Sequence, residues 1–170
     1  GPVFFPEPAD IEGANATALQ RELDLLSYDA LFAWSVDEWE VFWQKTVARL
    51  GIRLQKPYER FVDLAQGPTA PEWLAGAEMN IAESCFQADG EQTAIVFQRE
   101  GGPLEHMSYT ALEGLCDQVA SGLVVAGFVP GDRIAVDMPM TAEAVAIYLG
   151  IVKAGCAVVA IADSFAAAEI

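Results

Sequence analysis

Residues 133–161, RIAVDMPMTAEAVAIYLGIVKAGCAVVAI, decide the fold. Arg133–Asp137 is a short apolar run that closes in a Met-Pro-Met turn, as a buried strand does. Thr141 is of N-cap type, and the stretch from it to Lys153 is apolar nearly all round a helix. A helix without a polar face must be covered on most sides. Gly155 ends it, and Ala157–Ile161 is a second short β-branched strand. Strand, helix and strand in this order make a βαβ unit. The expectation is a parallel sheet with right-handed crossover, buried on both faces. Ala144–Ala162 approaches the length of a membrane span. Gly150, Gly155 and Lys153 interrupt it, so no membrane span is expected.

Upstream, Tyr109–Ala126 reads as a helix with Leu112, Leu115, Val119, Leu123 and Ala126 on its core face. Ser108 or Thr110 is its cap, and Gly127 its stop. Thr93–Gln98 reads as a strand, Gly101-Gly102-Pro103 as a turn, and His106–Ser108 as the strand pairing back. Asn80 caps a short helix over 81–86, and the Pro- and Gly-rich stretch 67–76 is a loop. Val36–Leu50 is an amphipathic helix with Val36, Trp39, Trp43, Thr46, Val47 and Leu50 on one face, capped by Ser35 and stopped at Gly51. Its two tryptophans are expected to pack on a neighbouring domain surface. Residues 1–30 hold three early prolines and read as an extended arm with little regular structure, apart from a short helix over 19–27. Downstream, Ser164 reads as the cap of a further helix that runs to Ile170.

Composition narrows the function. A hydrophobic fraction of 53% supports a packed core and excludes a disordered chain. The 25 acidic against 9 basic residues give a net charge of -16, which repels nucleic-acid phosphates and anionic membranes. Cys85, Cys116 and Cys156 form no CxxC pair and each lies in an apolar stretch, so buried free thiols in a reducing compartment are expected. The single histidine, His106, leaves no His/Cys set for zinc. It reads as a surface residue beside a turn. No secretory signal opens the chain, and both of its ends read as cut.

Catalytic constellations are missing. There is no phosphate-binding G-x-x-x-x-G-K-[ST] loop, no G-x-G-x-x-G and no G-x-S-x-G elbow. The suggestive places are Asp163-Ser164 and the run Asp137-Met-Pro-Met-Thr141, each directly after a strand. Ligands in open α/β sheets sit beyond the carboxyl ends of strands, and a helix starting there points its amides at them. Helix capping and turn formation explain both runs equally well.

Four ordered segments together resemble a known family. Trp73-Leu-Ala-Gly-Ala-Glu-Met-Asn80-Ile-Ala-Glu-Ser-Cys85 is similar to the W-x-x-G-x-x-x-N-x-x-x-x-C segment of the acetyl-CoA-synthetase branch of adenylate-forming enzymes. Met107-Ser-Tyr-Thr-Ala-Leu112 resembles its T-Y-x-E-L helix start, with Ser for Thr and Ala for Glu. Gly127–Thr141 and Ile151–Phe165 resemble the strands and turns that follow, and the runs IAES, DMPMT and IADSFAA are similar to plant-type acyl-activating enzymes. The resemblance covers about Val36 to Ile170. It implies an incomplete α/β fold, with a helical or extended N-terminal arm followed by the first βα units of an adenylate-forming domain. The implied division is 1–35 extended arm, 36–92 helical extension and 93–170 start of the AMP-binding domain. It implies a complete enzyme that uses ATP, Mg and CoA to convert a carboxylic acid to its adenylate and then its thioester. The family's phosphate loop, adenine and ribose contacts, catalytic lysine and basic CoA contacts all lie later in its chain. No catalytic, cofactor-binding or metal residue is therefore expected among these 170. The expected role is scaffolding, inactive alone. Its partner is the remainder of the polypeptide, or else a protein that covers a free-standing half-fold. The compartment is expected to be intracellular, cytoplasmic or peroxisomal, though Ala168-Glu-Ile170 is not a peroxisomal tripeptide.

Overall fold

A computed structural model describes residues 4–166 and 168. The chain forms two compact units, residues 1–50 with 61–73 and residues 51–60 with 74–170.

The first unit is helical from early on. Helices α1 (Pro8–Glu12), α2 (Asn15–Glu22), α3 (Tyr28–Asp37) and α4 (Trp39–Arg49) follow one another. The expectation of little regular structure over 1–30 is thereby corrected. Pro8 starts α1 instead of breaking it, because its fixed φ suits the first helical position. The helix expected over 36–50 is also divided. Ser27, not Ser35, caps α3 by accepting the Ala30 N–H at 3.1 Å, and the chain bends at Glu38 before α4. Glu22 at the end of α2 grips both Lys45 and Arg49, one turn apart on α4. The Lys45 hydrogen bond and charge, with Arg49 adding, hold the Glu22 carboxyl below its usual pKa.

Trp39 and Trp43 pack edge-on against Trp73 at ring-centroid distances of 5.8 and 6.2 Å, and Phe61 meets the same ring at 5.8 Å. Their partners lie inside this unit instead of on a neighbouring domain. Two short strands escape the sequence reading, β1 (Arg60–Asp63) and β2 (Glu72–Ala75), which form a two-stranded sheet where a loop was expected over 67–76. Leu74 holds φ at 51°, unusual for a branched aliphatic residue, so β2 is bent and carries no clean alternation.

The second unit follows the sequence more closely. Asn80 caps α5 (Ile81–Cys85), and β3 (Thr93–Gln98) pairs antiparallel with β4 (Leu104–Ser108), placing Ile95 opposite Met107. Ser108 caps α6 (Tyr109–Val125). Thr141 caps α7 (Ala142–Lys153), which links β5 (Arg133–Asp137) to β6 (Ala157–Ile161) in a parallel pair with Ile134 beside Val158. The core is Leu112 and Cys116 of α6 with Ala146 of α7, and Ala94, Ile95 and Met107 of the hairpin pack against it.

Along α7, Ala142, Ala146 and Gly150 recur at four-residue steps and are all buried. Small side chains let the two helices approach closely. A Cβ on Gly150 would lie 2.6 Å from Val119 Cβ and 2.9 Å from the Cys116 carbonyl oxygen.

Two expectations are corrected in this unit. Among the described residues the parallel sheet has two strands, and it is not buried on both faces. Ala135, Ala157 and Val159 are exposed, while Val136 and Val158, which alternate with them, are partly covered. Side chains alternate along a strand, and α7 partly covers one set, though the alternation fails at the end of β6, where Ala160 is exposed and Ile161 partly covered. The helix expected from Ser164 is absent among the described residues. Phe165 N–H closes a turn onto the Ala162 carbonyl at 3.0 Å. The rest of that expected helix includes 167, 169 and 170, which lie outside the described residues.

Two glycines test this packing. Gly150→Ala forces its methyl into Val119 and should destabilise the protein by about 1–3 kcal/mol. Gly122 on α6 faces open space, and Gly122→Ala should stabilise by up to about 1 kcal/mol. Urea unfolding at constant m-value checks both. A Gly150→Ala midpoint at or above the parent's would contradict the close approach.

Candidate functional site

The carboxyl ends of β5 and β6 lie side by side, Asp137 paired with Ile161, because the strands are parallel. This is the edge at which α/β sheets take ligands. The turn 138–140 and the residues after Ile161 both leave from it. Under the turn is a hollow of about 330 Å³ lined by Val136, Met138, Pro139, Met140, Tyr148 and Ala160, among others. Its walls are apolar, and Met140 is 91% exposed at its rim.

The polar groups near this edge are engaged in building α7. Thr141 Oγ1 accepts the Ala144 N–H at 3.2 Å. The Glu143 carboxyl is held below its usual pKa by its own backbone N–H, then by the Thr141 hydroxyl, with Arg99 contributing. Arg99 reaches Glu143 at 2.9 Å and Glu105 at 3.4 Å, and its guanidinium lies over the Phe97 ring. Asp163 and Ser164 lie in the turn after β6 and start no helix among the described residues. The anion-binding helix end considered for them is therefore not formed there.

The remaining candidates are dispersed. His106 is exposed on β4 opposite Val96. Cys116 and Cys156 are buried as expected, and burial pushes the Cys116 thiol up. Cys85 departs from the expectation and is exposed at the end of α5, its thiol directed to the Ile81 carbonyl. No group of three or more His, Cys, Asp or Glu among the described residues is arranged for a metal. Arg21, Lys45, Arg49, Lys56, Arg99 and Lys153 all pair with carboxylates. A second hollow, about 350 Å³, lies within the first unit over Leu19 and Leu31. Its rim hydroxyls, Ser35 and Thr46, donate to the Phe32 and Phe42 carbonyls of their own helices. Among the described residues no helix is long and apolar enough to cross a membrane.

What the arrangement offers is a βαβ edge with an apolar hollow. The family model described as AMP-binding enzyme matches residues 82–170, just over half the chain. The chain belongs to the AMP-binding enzyme family. Residues 28–85 match a second family model, the acetyl-coenzyme A synthetase N-terminus. Among its relatives, a probable peroxisomal acyl-activating enzyme 18 of Arabidopsis thaliana is 36% identical, the match covering 86% of this chain and 21% of that protein. A hexanoyl-CoA synthase of Cannabis sativa is 33% identical, covering 99% and 26%. In three dimensions the chain matches an acetoacetyl-CoA synthetase from Streptomyces lividans with a TM-score of 0.84 and 26% identity, over 99% of this chain and 28% of that one. The chain thus spans between 21% and 26% of the length of these two curated relatives. The family resemblance and the α/β fold class read from the sequence hold.

At the opposite end from the strand-edge hollow, α7 finishes at Lys153, whose ammonium meets Asp117 and, at 3.4 Å, Glu113 of α6, and lies over the Phe86 ring. Burial pulls its pKa down, but the hydrogen bonds and charges of Asp117 and Glu113 outweigh it and leave the pKa raised. A raised folded-state pKa stabilises the protein fully below the unfolded value, and the gain is lost as pH rises through the folded value. Lys153→Met keeps the apolar stem and removes the charge, so it should cost about 1 kcal/mol at pH 7. That cost should stay constant to about pH 10 and shrink above it. Thermal unfolding of both proteins across pH 7–11 measures this. A gap that widens above pH 10 would reverse the sign assigned to the pair.

Proposed function

We propose that this chain is the N-terminal portion of an ATP-dependent acyl-CoA synthetase, where it scaffolds the catalytic domain and is inactive alone. One observation carries the reading. Nearly the whole chain, 99% of it, follows the acetoacetyl-CoA synthetase fold, yet it occupies 28% of that enzyme. In this reading residues 1–35 form an N-terminal arm, 36–92 an extension of acetyl-CoA-synthetase type and 93–170 the start of the AMP-binding domain. The complete enzyme would join a carboxylic acid to AMP with loss of pyrophosphate, and then pass the acyl group to the CoA thiol. Adenylation replaces a poor leaving group with a good one, and the enzyme must position the acid and neutralise charge at the α-phosphate. ATP, magnesium and CoA belong to that complete enzyme, and no residue of this chain is assigned to them. The cytoplasm or the peroxisome is the proposed compartment.

The exposed face of β5–β6 and the apolar hollow at its edge fit this role. The hollow's apolar walls and the exposed Met140 at its rim are what a covering element would fill. The remainder of the same polypeptide is the proposed cover.

Pyrophosphate exchange with ATP, driven by a panel of short- and medium-chain acids, tests the reading. Residues 1–170 alone should show no acid-dependent exchange. The polypeptide translated onward from the codon for Ile170 should show it and should release AMP when CoA is added. Exchange by the 170-residue chain, or a stop codon directly after Ile170, would sink the proposal. In the second case, a stoichiometric protein partner over the open face would indicate a free-standing interaction subunit instead.

A further inference from the structure

The family-like motif that runs from Trp73 to Cys85 contains one residue whose role is fully visible. Asn80 is half-buried and faces two helix ends at once. Its Oδ1 accepts the Ala82 N–H at 3.1 Å, which caps the start of α5. Its Nδ2 donates to the carbonyls of Val152 at 2.8 Å and Lys153 at 3.3 Å, which lie at the end of α7, more than seventy positions later. The orientation of the amide is forced. Turned over, it would set its oxygen against two carbonyls and its NH₂ against an N–H.

Both helix ends use this residue. The last carbonyls of a helix have no partner within it. Here Gly150 O takes the Ala154 N–H, Ile151 O takes the Cys156 N–H, Val152 O takes the Gly155 N–H at 2.9 Å together with the Asn80 amide, and Lys153 O receives the Asn80 amide. At the other end, α5 is five residues long, and a helix that short does not persist without tertiary support. Its Ala82 is fully buried, so the helix sits hard against its surroundings. The acetyl-coenzyme A synthetase N-terminus match contains Asn80, and α7 lies in the AMP-binding match.

We infer that Asn80 is a joint that makes α5 and the end of α7 open and close as one unit, tying the N-terminal extension to the first βα crossover of the AMP-binding segment. The inference does not depend on which acid, or whether any, is activated. A residue that only capped α5 would tolerate Asp, because Asp and Asn are equally good N-caps. A joint would not. Asp keeps the acceptor for Ala82, loses the donor to α7, and sets a negative charge against the negative end of that helix.

Native-state hydrogen exchange on the intact protein separates the two. Asn80→Asp should speed exchange of the Ala154 and Cys156 amides about tenfold, and that of Glu83, whose N–H donates to the Asn80 carbonyl at 3.1 Å, by a similar factor. A second perturbation leaves Asn80 in place. Gly155 holds φ at +78°, and a Cβ there would meet Pro130 at 3.2 Å, so Gly155→Ala strains the exit of α7. With Asn80 present, this change should speed exchange at Glu83 as well as at Ala154. If Gly155→Ala gives no soluble protein, Lys153→Met perturbs the same end. Wild-type exchange rates at Ala154 and Glu83 in Asn80→Asp, or an α5 that does not respond to the α7 change, would overturn the joint.

Discussion

The close approach of α6 and α7 at Gly150 is the constraint on which the second unit depends. A residue with any side chain there would have to displace Val119 or the Cys116 backbone. With glycine in place, Ala146 can meet Leu112 and Cys116, and these three form the buried centre. The β3–β4 hairpin then has one site to cover, and it lays Ile95 and Met107 on it. Because α7 runs between β5 and β6, the helix spacing also fixes where their parallel ladder lies. The two electrostatic ties at the ends of α7, Arg99–Glu143 at its start and Lys153 with Glu113 and Asp117 at its finish, set its rotation within a position that packing has already chosen.

Legibility in the sequence followed the strength of local signals. The strands Thr93–Gln98, Arg133–Asp137 and Ala157–Ile161 coincide with their sequence readings, because each is a short apolar run bounded by turn residues. Thr141 and Asn80 were legible as caps because their side-chain oxygens can accept the amides two or three residues on. The first unit was less legible for reasons equally local. Prolines near the start read as breakers, whereas Pro8 occupies the one helical position that tolerates it. A single hydrophobic stripe from Val36 to Leu50 concealed the bend at Glu38, since α3 and α4 present similar faces on either side of it. Strand β2 was hidden by the bend at Leu74, which removes the alternation by which strands are recognised.

The candidate site was legible as a place, the carboxyl ends of two adjacent strands, because the strand–helix–strand pattern dictates it. Sequence inspection found no phosphate loop and no nucleophile with a base. Three of the polar residues near the strand ends serve α7's own start: Thr141, Glu143 and Arg99 satisfy one another and the backbone. The second role of Asn80 could not be read in advance. Its motif spacing marks it as special, but the carbonyls it serves lie in another segment, and only the folded chain brings them together.

The open face of β5–β6 raises a physical question: why would a chain keep apolar strands uncovered? Composition supplies part of the answer. The face is made of Ala135, Ala157 and Val159, side chains too small to present much apolar area, and Arg133 stands beside them. Hydrophobic association scales with area, so small side chains weaken the drive to aggregate while still permitting close backbone approach by a covering layer. A larger apolar group stands at the carboxyl edge, in Met140. A net charge of -16 opposes self-association through the same surface. Such a face discriminates by fit: a layer that can approach the alanines closely gains contacts, and a poorly fitting one finds little area to bury.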